Sequence, residues 1–254
     1  MKRKSRIIAR LDIKNNHVIK GIHLEGLRKV GDPNELARKY YNEGADEIIL
    51  MDAVAAYYDR NNLSEIVKQA CSDIFIPITV GGGIRKIQDI QEALNSGADK
   101  VAINTQAVQN SNFIMEASQI FGSQCIVGSI EAKKVSDNNW EVYIDNGREP
   151  TGIDVKEWAI ELENLGVGEI MITSIDNEGT KRGFDLELNK IISESISVPI
   201  ISSGGAGTIS HISDLIISSN IDAVAIASIL HYNIEELSKI KKKLSEHQDI
   251  HVRL

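Results

Sequence analysis

Residues 80–85 read V-G-G-G-I-R and follow the apolar run 75–79. That order predicts a buried strand, a glycine turn, and a helix over about 86–95. Three glycines let a backbone approach a ligand closely, and the free N–H groups at a helix start suit an anion. A single turn of this kind is ordinary turn chemistry. Residues 201–207 repeat it as I-S-S-G-G-A-G, again after an apolar run with a proline and again ahead of a helical pattern. Two such turns in one chain favour phosphate recognition.

The correspondence reaches beyond the turns. Gly81 matches Gly204 and Val101 matches Val224, both at an offset of 123; Asp52 matches Asp176 at 124 and Asp12 matches Glu131 at 119. A period near half the chain is too long for a solenoid. It implies two fused halves, about 1–122 and 123–254.

Strand patterns near 6–13, 47–51, 76–80, 100–103, 124–130, 169–173, 199–202 and 223–227 alternate with helical patterns. The helices fall near 34–43, 63–72, 87–95, 112–121, 155–165, 186–194, 209–218 and 234–244. Continuous Val/Ile runs between amphipathic helices mean a parallel sheet covered on its outside. Eight units with twofold similarity fit a single-domain α/β fold, a closed (β/α)8 TIM barrel over 1–254 with an internal half-barrel repeat. Active sites of such barrels sit at the C-terminal ends of the strands. The two glycine turns would then face each other across one mouth, as for a substrate with a phosphate at each end.

The chain has 254 residues, 42% hydrophobic and 25% charged, enough for a full core. Its net charge of −8 argues against nucleic acid or an acidic membrane surface as the main partner. The basic start M-K-R-K-S-R precedes an apolar stretch too short for a signal peptide or membrane span. Cys71 and Cys125 carry no framework and no metal spacing, as expected of reduced, buried residues in a cytoplasmic protein.

Asp12 and Glu131 close the first and fifth strands, opposite each other over the mouth. A pair of acids between two phosphates suits general acid–base work on the middle of a substrate. Asp52 and Asp176 form a second pair, expected to anchor loops before doing chemistry. Lys20 and the glycine-rich stretch through Gly31 suit a mobile flap, with a solvated surface lysine as the plain alternative. Alternation puts Arg6, Ile8, Arg10 and Asp12 on the inward face of the first strand. Glu47, Lys100 and Glu169 start other strands, so with Arg6 they ring the floor. Such a ring is either a structural salt-bridge set or a gate for a small molecule.

These residues resemble a known family, the cyclase subunit of imidazole glycerol phosphate synthase in histidine biosynthesis. The similarity covers nearly the whole chain, through R-I-I-A-R-L-D-I-K, G-D-P-N-E-L-A, V-G-G-G-I-R, G-A-D-K-V-A-I-N-T, F-G-S-Q-C-I-V, T-S-I-D-N-E-G-T-K and I-S-S-G-G-A-G. The resemblance implies a glutaminase partner on the N-terminal face of the barrel, forming a heterodimer. Ammonia would pass the gate of Arg6, Glu47, Lys100 and Glu169 to a bis-phosphorylated phosphoribulosyl-formimino aminoimidazole carboxamide ribonucleotide. The products would be imidazole glycerol phosphate and the aminoimidazole carboxamide ribotide, with no metal or organic cofactor. Asp12 matches the general acid, Lys20 the flap lysine and Asp176 a supporting acid. Gly82, Gly83, Asn104 and Thr105 match one phosphate site; Gly204, Gly205, Ser228 and the start of the last short helix match the other.

The chain departs from the family pattern at the chemistry. Glu131 replaces an aspartate, and a base misplaced by about 1 Å loses ~100-fold in rate. Arg10 replaces a usual cysteine; beside two acids it would lower their pKa values, and a buried arginine needs a partner, for which Glu131 is the expected one. The loop A-A-Y-Y-D-R-N-N also lacks the family's small residues. Two readings follow. The chain is a cyclase, or it is a paralogue that docks a glutaminase and conducts ammonia to a separate amidotransferase making acetamidino sugars for surface polysaccharide. A plain sugar-phosphate isomerase is weaker, having no need of a charged gate.

Overall fold

The first strand, Arg6–Lys14, serves two cores at once. Its Ile7, Ala9, Leu11 and Ile13 lie in the large apolar layer between sheet and helices, whereas Ile8 packs inside the barrel with Ile49, Ala102, Val127, Met171, Ile201, Ala223 and Ala225. Side chains alternate across a strand, so a closed sheet reads one face into each core. Each fully buried Ile or Leu contributes about 1.5–3 kcal/mol relative to exposure.

The computed structural model describes residues 4–55 and 63–254. The first residues of the basic start, and all but the first residue of A-A-Y-Y-D-R-N-N, lie outside the described residues. In chain order the first half comprises β1 (Arg6–Lys14), β2 (His17–Ile22), β3 (Glu25–Gly31), α1 (Pro33–Asn42), β4 (Glu47–Asp52), α2 (Ser64–Asp73), β5 (Ile78–Gly81), α3 (Ile87–Asn95), β6 (Lys100–Ile103), α4 (Thr105–Gln109) and α5 (Asn112–Phe121). The second comprises β7 (Ile126–Ser136), β8 (Asn139–Ile144), β9 (Glu149–Asp154), α6 (Val155–Asn164), β10 (Glu169–Ser174), α7 (Leu186–Ser193), β11 (Ile200–Ser203), α8 (Ile209–Ser218), β12 (Ala223–Ile226), α9 (Ser228–His231) and α10 (Leu237–Ser245).

Eight strands, β1, β4, β5, β6, β7, β10, β11 and β12, pair in parallel in that order, and β12 returns to β1 with Arg6 opposite Ala223. The sheet is a closed (β/α)8 barrel. Antiparallel arms grow from two of its strands: β2 and β3 from the end of β1, β8 and β9 from the end of β7. Each arm ends in an aspartate that caps the next helix. Asp32 accepts from the Asn34 and Glu35 N–H groups with Pro33 following, and Asp154 accepts from those of Lys156 and Glu157.

Carboxylates also tie the strands together at the floor. Asp46 accepts from Ile7 N at 2.7 Å, Asp99 from Ile78 N at 2.8 Å and Asp222 from Ile200 N at 2.9 Å. Each satisfies a backbone donor at the start of a neighbouring strand. Cys71 and Cys125, expected buried, are half-buried and unpaired, and the Cys71 thiol donates to Gly97 O at 3.2 Å. No helix among the described residues is long and apolar enough to cross a membrane.

Candidate active site

β1 delivers Arg10 and Asp12 to the mouth on one face, two residues apart. Arg10 is the deeper, only 3% exposed, and its guanidinium is held on two sides. Nε donates to Asp12 Oδ1 at 2.9 Å, and Nη1 donates to Thr173 Oγ1 at 2.8 Å and Ser203 Oγ at 3.1 Å. The expected pairing of Arg10 with Glu131 is not made. Its nearest carboxylate is the one on its own strand, because residues i and i+2 share a face.

Lys20 descends from β2 onto the same acid. It is buried, with Nζ 3.0 Å from Asp12 Oδ2, and it also bonds Glu178 Oε1. The plain reading of Lys20 as a surface residue is therefore set aside. The β2–β3 arm is fastened to the loop after β10 by its turn as well: His23 N donates to Glu178 O at 2.8 Å and His23 Nδ1 to Ile175 O at 3.0 Å. Burial alone would push the Asp12 pKa up. Arg10 and Lys20 override it and hold the carboxyl well below the usual range.

β7 delivers Glu131 from the other half. Its Oε2 accepts from Gly147 N at 2.8 Å and from Asn104 Nδ2 at 3.0 Å, both neutral donors. Burial pushes its pKa up to about 7, against the pull of the Gly147 N–H and the more distant Arg10. Two acids at matching places in the repeat thus hold different charge states near neutral pH. A cavity of about 200 Å³ lies between them, lined by Arg10, Asp12 and Glu131 together with Gly82, Gly83, Asn104 and Thr105.

The Gly82–Gly83 turn lines this space, whereas Gly204, Gly205 and Ser228 are absent from its lining. Gly82 has φ +91, and a Cβ there would lie 2.2 Å from Asp52 O; at Gly205, φ +111, it would lie 2.0 Å from Gly183 O. Both positions demand glycine for backbone packing alone. Thr105 opens α4, and its hydroxyl accepts from Asp145 N at 3.2 Å. The Asn104 amide nitrogen is committed to Glu131 and to Tyr143 O, at 3.1 Å, and its buried Oδ1 has no partner among the described residues. Ser228 opens α9, following β12 as Gly204 and Gly205 follow β11, and its buried hydroxyl also lacks a partner among the described residues. Buried polar atoms are normally satisfied, so the Ser228 hydroxyl is free to donate to a ligand oxygen, whereas Asn104 Oδ1 calls for a donor.

Asp52 and Asp176 anchor backbone. Asp52 Oδ1 accepts from Val54 N at 3.0 Å, and Asp176 Oδ2 accepts from Lys134 N at 2.8 Å, tying β10 to the β7 arm. Asp52 lines the cavity, whereas Asp176 is absent from its lining.

The family model of histidine biosynthesis proteins matches residues 6–235. The chain is also 60% identical over 202 residues to a Legionella pneumophila protein named imidazole glycerol phosphate synthase subunit HisF, covering 80% of this chain and 95% of that one. The chain belongs to the histidine biosynthesis protein family. The matched residues 6–235 include the mouth and the four charged residues of the floor.

The floor of this histidine biosynthesis barrel carries the four charges together. Lys100 Nζ lies 3.0 Å from Glu47 and 2.9 Å from Glu169, and Arg6 bonds the same two acids. Two cations and two anions alternate in a closed ring beneath the apolar barrel interior. A concavity of about 520 Å³ below it is lined by Lys4, Arg6, Lys100, Gln124, Glu169 and Arg253.

Sequence reasoning missed Glu178, Thr173, Ser203 and Gly147. Glu178 sits in T-S-I-D-N-E-G-T-K, singled out only for resemblance; an acid following the acid of a strand end was the available signal. Thr173 and Ser203 end strands on the inward face, where a hydroxyl has to find a partner. Gly147 belongs to the β8–β9 arm, which was read as a gap between a strand and a helix.

Proposed function

We infer that the chain is the cyclase subunit of imidazole glycerol phosphate synthase in histidine biosynthesis, a carbon–nitrogen lyase working with a glutaminase. The observation that carries this reading is the 60% identity to a protein named for that subunit. It is joined by a cavity that holds two acids of unlike charge state beside the Gly82–Gly83 turn. The same identity favours the cyclase over the amidino-sugar channel.

In this reading ammonia adds to the ribulosyl carbonyl of the bis-phosphorylated substrate, and ring closure with cleavage releases imidazole glycerol phosphate and the aminoimidazole carboxamide ribotide. Asp12, held ionised, and Glu131, able to carry a proton near pH 7, form the acid–base pair. Lys20 closes the flap over Asp12, and Asp176 supports the β7 arm. One phosphate lies at Gly82, Gly83, Asn104 and Thr105; the other lies at Gly204, Gly205 and Ser228, where the unpartnered Ser228 hydroxyl gains an acceptor. The glutaminase docks on the N-terminal face and ammonia passes the ring of Arg6, Glu47, Lys100 and Glu169. The apolar interior above it suits a neutral molecule over ammonium. The work is cytoplasmic and needs no metal or cofactor.

The test is cyclisation of the formimino ribulosyl intermediate by the purified chain, with ammonium salt replacing the glutaminase. Turnover that falls on Asp12→Asn and on Glu131→Gln is expected. A folded chain without turnover would return the lead to the ammonia-conducting paralogue.

A further inference from the structure

Arg10 occupies the middle of the mouth with part of its donor set unused. A guanidinium carries five N–H groups. Nε serves Asp12, and Nη1 serves Thr173 and Ser203. Nη2 has no partner among the described residues, yet Arg10 is 3% exposed and lines the cavity between the two acids. The two Nη2 donors belong to a group that lines the cavity, so the fold keeps them available at its reacting end. Three bonds fix the plane of the group, and such preorganised donors act without reorganising during reaction.

We propose that Arg10 is a third catalytic group, whose Nη2 donates to the substrate oxygen that gathers charge as ammonia adds to the ribulosyl carbonyl, a role that rests on the cyclase reading above. Nη2 and Nε–H share one edge of the guanidinium, so an oxygen bound at Nη2 lies beside Asp12. In the step, the nitrogen lone pair forms the C–N bond and the carbonyl π pair moves onto oxygen against Nη2. A proton from the added nitrogen then returns to that oxygen by way of the Glu131 carboxylate across the cavity, giving a neutral carbinolamine. Burial opposes the charge of Arg10, but Asp12 and Glu178 keep it cationic throughout. A cysteine at this position offers one weak donor in place of two charged ones.

The test measures kcat and KM with ammonium salt for wild type, Arg10→Met and Arg10→Ala, the last with and without guanidinium ion. Loss of one such donor removes ~100- to 1000-fold in kcat, and the proposal expects this in Arg10→Met with little change in KM and partial rescue of Arg10→Ala. A second measurement compares binding of two analogues, one with a hydroxyl and one with a methylene at the carbonyl carbon. Wild type should prefer the hydroxyl by ~10-fold or more, as for a charge-assisted hydrogen bond, and Arg10→Met should not. Undiminished kcat in Arg10→Met, a loss confined to KM, or equal hydroxyl preference in both proteins would overturn the proposal even if Asp12 stays essential. Wild type without turnover would overturn the cyclase reading itself, which is a different result.

Discussion

Asp12 and Glu131 stand at matching places on β1 and β7 in the two halves, yet only Asp12 bonds cations. Arg10 and Lys20 each give Asp12 a charged hydrogen bond, at 2.9 and 3.0 Å, whereas Glu131 accepts from a backbone N–H and a side-chain amide. A duplicated barrel starts with equivalent acids. The unlike neighbours on the two sides make one a fixed anion and the other a proton carrier.

Glu131 therefore makes stability depend on pH. Its folded pKa, about 7, lies above the 4.5 of an unperturbed glutamate. The folded state binds the extra proton, so stability is greatest below the unfolded pKa and falls as pH rises through the folded one. Glu131→Gln abolishes the titration. The difference in unfolding free energy, wild type minus variant, should drop by up to about 3 kcal/mol between pH 4.5 and 7.5, at 1.36 kcal/mol per pKa unit. Parallel curves from urea titrations at several pH values would rule this out. Asp12 acts in the opposite sense: its lowered pKa adds stability above the unfolded value that is lost only on acidification.

Glu178 decides whether the β2–β3 arm stays down. Its carboxylate holds Lys20 and its carbonyl holds the turn at His23. Breaking a buried ion pair by removing one charge costs about 3–5 kcal/mol, toward the lower end here because Lys20 keeps Asp12. Glu178→Gln is expected to lower the melting temperature and to speed proteolysis within residues 17–31, with Glu178→Asp intermediate. Unaltered cleavage in that stretch would show that the arm is held by other contacts.

The barrel was legible because its signals are local. Glycine turns, apolar runs and a half-length repeat placed β6, α3, α5 and α8 to the residue, and put Asp12 and Glu131 on opposing strand ends. The polar network was not legible. Arg10 reaches Thr173 and Ser203 across 163 and 193 residues of chain, and no pattern in the sequence pairs an arginine with particular hydroxyls at that range. The expected Arg10–Glu131 pair failed because the inward face of β1 already offered Asp12. The β8–β9 arm was missed for lack of weight given to N-W-E-V-Y-I, an alternating run ending at D-N-G.

The glycine turns should tolerate no side chain, whatever they bind. A Cβ at Gly82 or Gly205 meets a carbonyl oxygen at 2.2 or 2.0 Å, and φ is +91 or +111. Alanine there adds a backbone clash to left-handed strain of about 1–3 kcal/mol. Gly82→Ala and Gly205→Ala are each expected to destabilise by more than ~2 kcal/mol in chemical denaturation, whereas Gly26→Ala carries the strain without the clash, since nothing lies within 4 Å. Equal costs at all three sites would mean the turns relax.

The floor ring separates a gate from a brace by its effect on two nitrogen sources. Lys100 and Arg6 together neutralise Glu47 and Glu169, and removing either cation leaves two buried acids sharing the other. Such acids repel, so the ring would loosen or trap a cation in Lys100→Met. On the proposed reading, ammonia released by a glutaminase on the N-terminal face crosses the ring, whereas ammonium salt in bulk also reaches the mouth directly. The ratio of glutamine-supported to ammonium-supported turnover is therefore expected to change by at least ~3-fold, a barrier difference of about 0.65 kcal/mol. A brace would alter both rates in proportion, through the amount of folded protein alone. An unchanged ratio in Lys100→Met, with the complex still assembled, would leave the ring a structural salt-bridge set and send ammonia by another route.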